Sequence, residues 1–163
     1  MNPERTLVLI KPDGVKRGLI GRILSRFEDA GLKIVGTKMV QIDEDFGQKH
    51  YHDIAERRGE QVLHSLLKFM TSGPVVAMCL EGINAVENVR KMVGGTEPKG
   101  ALPGTIRGDF AHMSFGHADT QKKAIENLIH ASGTVTEAEQ EVFLWFNMEE
   151  LHSYKTVHEV HVF

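Results

Sequence analysis

Short apolar runs alternate along this chain with stretches in which apolar residues recur every three or four positions, and that alternation predicts the elements. Arg5–Ile10 is apolar from Leu7 onward and reads as a short buried strand. Lys11, Pro12, Asp13 and Gly14 stop it. From Gly18 to Ala30, residues Leu19, Ile20, Ile23, Leu24 and Phe27 fall at helical spacing, and Gly31 suits the position after a helix end. Leu32–Ile42 predicts a second strand. Asp43 is a cap for a helix through His52, and a break at Arg57–Glu60 precedes a helix over Gln61–Met70. After the turn Thr71–Pro74, the apolar run Val75–Leu80 predicts a central strand, and Asn84 caps a helix to Val93. Residues from about 94 to 119 hold six of the sixteen glycines and two prolines, and read as a long, mostly irregular connection. Thr120–Asn127 has room for a helical turn or two, and Leu128–Ala131 is a short last strand. Thr134 followed by Glu137 is a capping box for a helix to about Phe146, and the tail from about 148 lacks periodicity.

The order is that of a split βαββαβ motif: an α+β ferredoxin-like sandwich, a four-stranded antiparallel sheet with helices on its faces. A chain of 163 residues fits one domain spanning 1–163. The formal net charge of −3 argues against general nucleic-acid binding, though a few local cations could still hold a small anion. The single cysteine, Cys79, leaves no intrachain disulfide and no cysteine-rich zinc site. Its apolar neighbours make it a small buried hydrophobe. No signal-peptide pattern opens the chain and no apolar run is long enough for a membrane span, so a cytoplasmic protein without membrane contact is expected.

Neither a Walker phosphate loop nor a dinucleotide fingerprint occurs, so any phosphate must be held by side chains. Lys11, Arg90 and Arg107 are available cations. Singly, each is an ordinary solvated charge, and only convergence would give them a role. His130 lies at a strand end directly before a capped helix, whose first N–H groups would favour an anion and a neutral imidazole. Glu137 and Glu141 follow one helical turn apart. A carboxylate bonded to one ring nitrogen would leave the other free to attack. From spacing alone, a hydrogen-bonded core histidine is the more common case.

Five segments shift that balance. Thr6–Val15 (TLVLIKPDGV), Arg17–Gly21 (RGLIG), Thr71–Met78 (TSGPVVAM), Pro103–Phe110 (PGTIRGDF) and Asn127–Ser132 (NLIHAS) resemble, in order and from about Glu4 to Tyr154, those of the nucleoside diphosphate kinases. The resemblance implies a ping-pong transfer of the terminal phosphoryl from a nucleoside triphosphate to His130 and then to a nucleoside diphosphate. By the same resemblance Lys11 contacts the ribose and the moving phosphoryl, and Tyr51 lies near the histidine. Arg90, Thr96 and Arg107 bind phosphates, and Asn127 binds the sugar hydroxyl. Glu141 orients the histidine, and Ser132 is the serine two residues after it. It further implies Mg²⁺ carried mainly on nucleotide phosphates with no direct protein ligand, tolerance of different bases, and a homo-oligomer, with a hexamer expected and a tetramer or dimer the alternatives.

Three features depart from the family pattern. His52–Leu67 holds no aromatic residue to stack on a base, and Val62 or Leu63 falls nearest that position. Ala111–Glu126 is longer than the usual connection, and Gly133 stands where an aspartate is common. His50 and His52 flank Tyr51 on different helix faces and do not suggest a metal pair. His112 and His117 read as solvated, His152, His158 and His161 as surface or subunit contacts, and Phe143 and Trp145 as core. Two rival readings are a catalytically silent nucleotide-binding scaffold and a phosphohistidine relay to another protein. The intact set Lys11, Arg90, Arg107, Asn127, His130 and Glu141 speaks against silence.

Overall fold

The structure, a computed structural model, describes residues 2–162. Its four strands are β1 (Glu4–Ile10), β2 (Lys33–Val40), β3 (Val75–Gly82) and β4 (Ile129–Ala131), hydrogen-bonded in the order β2-β3-β1-β4. Every neighbouring pair is antiparallel. This is the ferredoxin-like sheet expected from the element order. β1 and β3 are central and covered on both sides, which is why their sequences are apolar without alternation.

On one face Val8, Ile10, Val76 and Met78 meet Ile23 and Phe27 of α2 (Ile20–Asp29) and Val89 and Val93 of α6 (Ala85–Val93). On the other face Leu7, Leu9, Ala77 and Cys79 meet Met70 of α5 (Glu60–Met70) and Val142 and Trp145 of α9 (Val135–Trp145). Helix α3 (Glu44–His50) starts where expected, the Asp43 carboxylate accepting the Phe46 N–H at 2.8 Å. The predicted break falls at Gly59, between α4 (Ile54–Arg58) and α5.

Several details differ from the sequence reading. Pro12 does more than stop β1: it begins a five-residue helix α1 (Pro12–Lys16), since proline is preorganised for a first helical turn. Asn84 does not cap α6 with its side chain; it sits in the left-handed region at φ 50°. The connection predicted as irregular carries a 3₁₀ turn (Pro98–Gly100) and two short helices, α7 (Ile106–Phe110) and α8 (Phe115–Thr120). Both are capped by hydroxyls, Thr105 accepting from the Gly108 N–H and Ser114 from the His117 N–H. Gly108 is required where α7 passes the preceding loop, because a side chain there would run into the Leu102 carbonyl. Phe143, expected in the core, is 71% exposed; Trp145, on the opposite face of α9, is buried. The tail, which lacks periodicity, lies on β2 of its own chain. His152 N–H donates to the Val35 carbonyl, Tyr154 O–H to Ile34, and Lys33 pairs with Glu159 in α10 (Glu159–Val162).

Candidate active site

His130 reaches its place through a strained turn. The Ile129 N–H donates to the Asn127 carbonyl at 2.9 Å across Leu128, whose φ is 73°. This is a three-residue γ-turn, costly for a residue with a side chain. It is held from three sides. The Leu128 N–H donates to Asp13, the Lys11 N–H donates to the Leu128 carbonyl, and the Leu128 side chain is fully buried. The turn puts Asn127 and His130 on either side of a sharp bend, a feature hidden in a sequence that read as plain strand.

The imidazole Nε2 lies 3.0 Å from both oxygens of Glu141. An ionised carboxylate only accepts, so Nε2 carries the proton and Nδ1 presents its lone pair. Among the described residues Nδ1 has no hydrogen-bond partner. Glu141 is itself held by the Ser132 hydroxyl at 2.6 Å, and that hydroxyl accepts the Leu7 N–H at 3.2 Å. Ser132 therefore ties the carboxylate to the central strand.

His50, passed over as one of a flanking pair, belongs to this cluster. Its ring stands edge-on to His130 with centroids 4.7 Å apart, and its Nδ1 accepts the Trp145 indole N–H at 3.1 Å. Tyr51 packs edge-on to His50 at 4.6 Å; its hydroxyl is buried without a partner among the described residues, and burial pushes the phenol upward. Only burial marks His50, and no sequence pattern carries that signal.

The cations do converge. Lys11 Nζ donates to Asn127 Oδ1 at 2.7 Å, and Asn127 Nδ2 donates to the Thr96 carbonyl at 2.9 Å. Arg107 forks to three carbonyls: Asn127 at 3.2 Å, Gly94 at 3.0 Å and Ile129 at 2.6 Å. Burial first, then the charge of Arg107, lowers the Lys11 ammonium to about 7, against the pull of Asp13. Burial and Arg90 lower Arg107 to about 10. Arg90 is exposed, and its side chain has no partner among the described residues. The Thr96 side chain is exposed too. Burial and then Lys11, Arg107 and Arg90, against Glu137, hold His130 down at about 3. The imidazole, four residues ahead of the α9 cap, is thus kept neutral by desolvation and cations. That helix start is already occupied: Thr134 accepts the Glu137 N–H and Glu137 accepts the Gly133 N–H. Gly133 permits the second contact, since a Cβ there would lie 2.5 Å from the Glu137 carboxylate.

Val62 lines a groove of about 470 Å³ between α5 and the longer segment, with Arg58, Leu66, Phe115 and Ile125. Leu63 does not line it. Phe115 brings an aromatic ring to this groove, with the Arg58 guanidinium 5.8 Å from its centre. No aromatic falls between His52 and Leu67, and Phe115 lies in the segment that the sequence reads as irregular. His50, His130 and Glu141 also place ligand-type atoms within 4.8 Å of one another. Those atoms are already engaged with each other and with Trp145, and Mg²⁺ prefers oxygen donors, so the cluster does not fit that ion.

The buried His50 and half-buried His130 imidazoles have a consequence for stability. His130 and His50 are both lowered from 6.5 to about 3, His50 by burial first and then by His130. Below about 6.5 the unfolded chain takes up protons that the folded chain refuses, so stability falls as pH drops from there toward 3. The slope expected is up to about 2.7 kcal/mol per pH unit for the pair, partly offset at the acid end by Glu141, whose carboxyl burial raises. Urea midpoints at about pH 6.5, 5.5 and 4.5 should descend; a flat series contradicts this account.

The comparisons agree with the geometry. Residues 4–151 match the family model described as nucleoside diphosphate kinase. The nucleoside diphosphate kinase of Borreliella burgdorferi is 47% identical over 154 residues, 93% of this chain and 92% of the relative. A solved nucleoside-diphosphate kinase from Borrelia burgdorferi, a transition-state mimic with bound vanadate and ADP, superposes with a TM-score of 0.95 at 46% identity, covering 98% of this chain and 96% of that one. A halophilic nucleoside diphosphate kinase from Halobacterium salinarum in complex with CDP gives 0.85 at 42% identity, covering 99% of both chains. A matched sheet, a histidine held by a carboxylate among converging cations, and identity near one half over almost the whole length lead to one conclusion: this chain belongs to the nucleoside diphosphate kinase family and is an enzyme that transfers phosphoryl groups between nucleotides.

Proposed function

We propose that His130 Nδ1 is the atom that takes the phosphoryl group. The observation carrying this reading is the Glu141 carboxylate on Nε2, which leaves the Nδ1 lone pair unengaged beside Lys11, Arg90 and Arg107. Nδ1 attacks the terminal phosphorus, the bond from phosphorus to the bridging oxygen breaks, and the nucleoside diphosphate leaves with that oxygen. The Nε2 proton stays on the ring and in its bond to Glu141. The second half-reaction reverses these steps with a different diphosphate. Lys11, Arg90, Arg107 and Thr96 hold the phosphates, Asn127 holds the sugar, and Tyr51 packs on His50, the ring beside His130. Ser132 acts through Glu141. Charge spread over the equatorial oxygens is met by fixed cations, which is most of what this chemistry requires.

Incubation with a γ-labelled nucleoside triphosphate should leave an acid-labile, base-stable label that a nucleoside diphosphate removes. No label, or a label that only another protein accepts, overturns the reading.

Mg²⁺ fits as a passenger of the nucleotide. The site's mouth is lined by cations, which repel a bare dication, and phosphate oxygens are the hard donors the ion prefers. When bound it supplies further charge neutralisation at the phosphates. The base lies between Val62 and Phe115, a stacking arrangement with little hydrogen-bond discrimination, in keeping with broad base tolerance. Phe115→Ala should raise KM for every nucleotide about tenfold or more, the scale of one lost stacking contact, with kcat little changed. An unchanged KM removes Phe115 from the base site.

A homo-oligomer suits the exposed Val135, Phe143 and Met148, which border one groove of about 440 Å³. A hexamer is the assembly proposed, and sedimentation distinguishes it from a tetramer or dimer. A cytoplasmic setting suits the single buried thiol of Cys79, and no helix among the described residues is long and apolar enough to cross a membrane.

A further inference from the structure

Glu141 has two imidazoles within reach. Its Oε1 is 3.0 Å from His130 Nε2 and 4.0 Å from His50 Nδ1. Only the first acts as a donor, and the reason lies one residue class away from the chemistry. Trp145, the last residue of α9 and 3% exposed, points its indole N–H at His50 Nδ1. An indole nitrogen can donate but never accept. His50 Nδ1 must therefore present a lone pair to Trp145, and the neutral ring keeps its proton on Nε2. That Nε2 is buried with no partner among the described residues. A His50 protonated at Nδ1 would instead be a second donor to Oε1, at ion-pair distance and carrying a full charge.

We propose that Trp145 is a positioning residue for His130: by occupying His50 Nδ1 it bars a proton from that nitrogen and reserves the Glu141 carboxylate for the imidazole that receives the phosphoryl group. The inference rests on reading His130 as the phosphoryl acceptor. The groups facing His50 set the direction of the effect. His130 on β4, Lys11 after β1 and the neighbouring His52 oppose its charge, as does burial, while Glu141 on α9 alone favours it; Tyr51 packs on its ring. Trp145 is thus placed against the one partner that would draw a proton onto Nδ1. Without the indole N–H, Nδ1 is free to protonate and pair with Glu141. The carboxylate is then shared, His130 Nε2 loses part of its acceptor, and the tautomer with the proton on Nδ1 becomes populated. That tautomer has no lone pair to offer phosphorus.

The test is the pH dependence of phosphoryl transfer by the full-length enzyme carrying Trp145→Phe. Phenylalanine preserves an apolar ring against Phe46, which meets Trp145 edge-on at 4.8 Å, and deletes the N–H. The acid limb of kcat/KM should move to higher pH by about one unit, a tenfold loss at acid pH relative to alkaline pH. Adding His50→Phe, which cannot titrate, should return the limb to its wild-type position. A merely structural Trp145 would lower the rate at all pH values and leave the limb in place. Should Trp145→Phe fail to fold, the chain's only tryptophan can be replaced by benzothienylalanine, which exchanges N–H for sulfur in nearly the same shape. An unmoved limb, or a shift that survives His50→Phe, overturns the proposal. Wild-type labelling at histidine, measured in parallel, separates that outcome from failure of the His130 assignment itself.

Discussion

His130→Ala will lose nucleotide transfer by at least about 10⁴-fold in kcat and will no longer take label from a nucleoside triphosphate, while keeping its fold. The magnitude is that of removing a covalent nucleophile from a group of residues that acts as a unit. No other side chain on β4 or α9 offers a nitrogen at that position; Ser132 is buried and committed to Glu141 and the Leu7 N–H. The fold survives because the imidazole is peripheral to both apolar clusters, which are built from β1, β3 and the helices on either face. Deleting it also removes one of the two rings whose neutrality costs stability in acid, so the variant's urea midpoint should fall less steeply with pH than the wild type's. Residual transfer within tenfold of wild type would refute the covalent route.

Arg107→Met carries the second large effect, and it strikes stability together with activity. The guanidinium is 8% exposed and satisfies the carbonyls of Asn127, Gly94 and Ile129. Methionine keeps the apolar stem but leaves the Gly94 and Ile129 carbonyls without a donor, while the Asn127 carbonyl keeps the Ile129 N–H. At about 1–3 kcal/mol for each of these two unpaired groups, with partial relaxation, a loss of about 2–4 kcal/mol is expected. That corresponds to a melting temperature lower by about 10 °C for a chain of this size. The same change removes the brace on the carbonyls flanking the γ-turn at Leu128 and a cation beside His130, so kcat should fall by about 10²–10³-fold. Arg107→Lys should rescue little, because one ammonium cannot fork to three carbonyls in a plane. A variant of unchanged melting temperature would show that the γ-turn stands without this residue.

These two residues illustrate different routes from sequence to site. His130 and Arg107 could both be named from their segments, NLIHAS and PGTIRGDF, because the resemblance there is dense and ordered. What Arg107 does was not legible. A cation in a glycine-rich loop reads as solvated, yet α7 turns it inward and its fork braces the Asn127–Ile129 bend. The capping role of Thr134 was legible because it is local: a hydroxyl and the N–H three residues on are neighbours by covalent geometry alone. Its partner Glu137 went elsewhere, reaching back past the cap to Gly133. Val62 or Leu63 falls nearest the stacking position along α5, but Phe115, which lines the groove with Val62, lies fifty-three positions after it in a segment that reads as loop.

From the order of amino acids alone came the number and sequence of strands, the burial of β1 and β3, the cap residues Asp43 and Thr134, and the family to which the chain belongs. All of these depend on periodicity, on contacts within a turn, or on long matched segments. Folding in three dimensions decided the rest: that Phe143 faces outward while Trp145 faces in, that His50 joins the site, that Leu128 is bent into a γ-turn, and that Lys11, Arg90 and Arg107 act on one imidazole. Those outcomes follow from desolvation and from charge at a few ångströms, and both depend on which distant segments the sheet brings side by side.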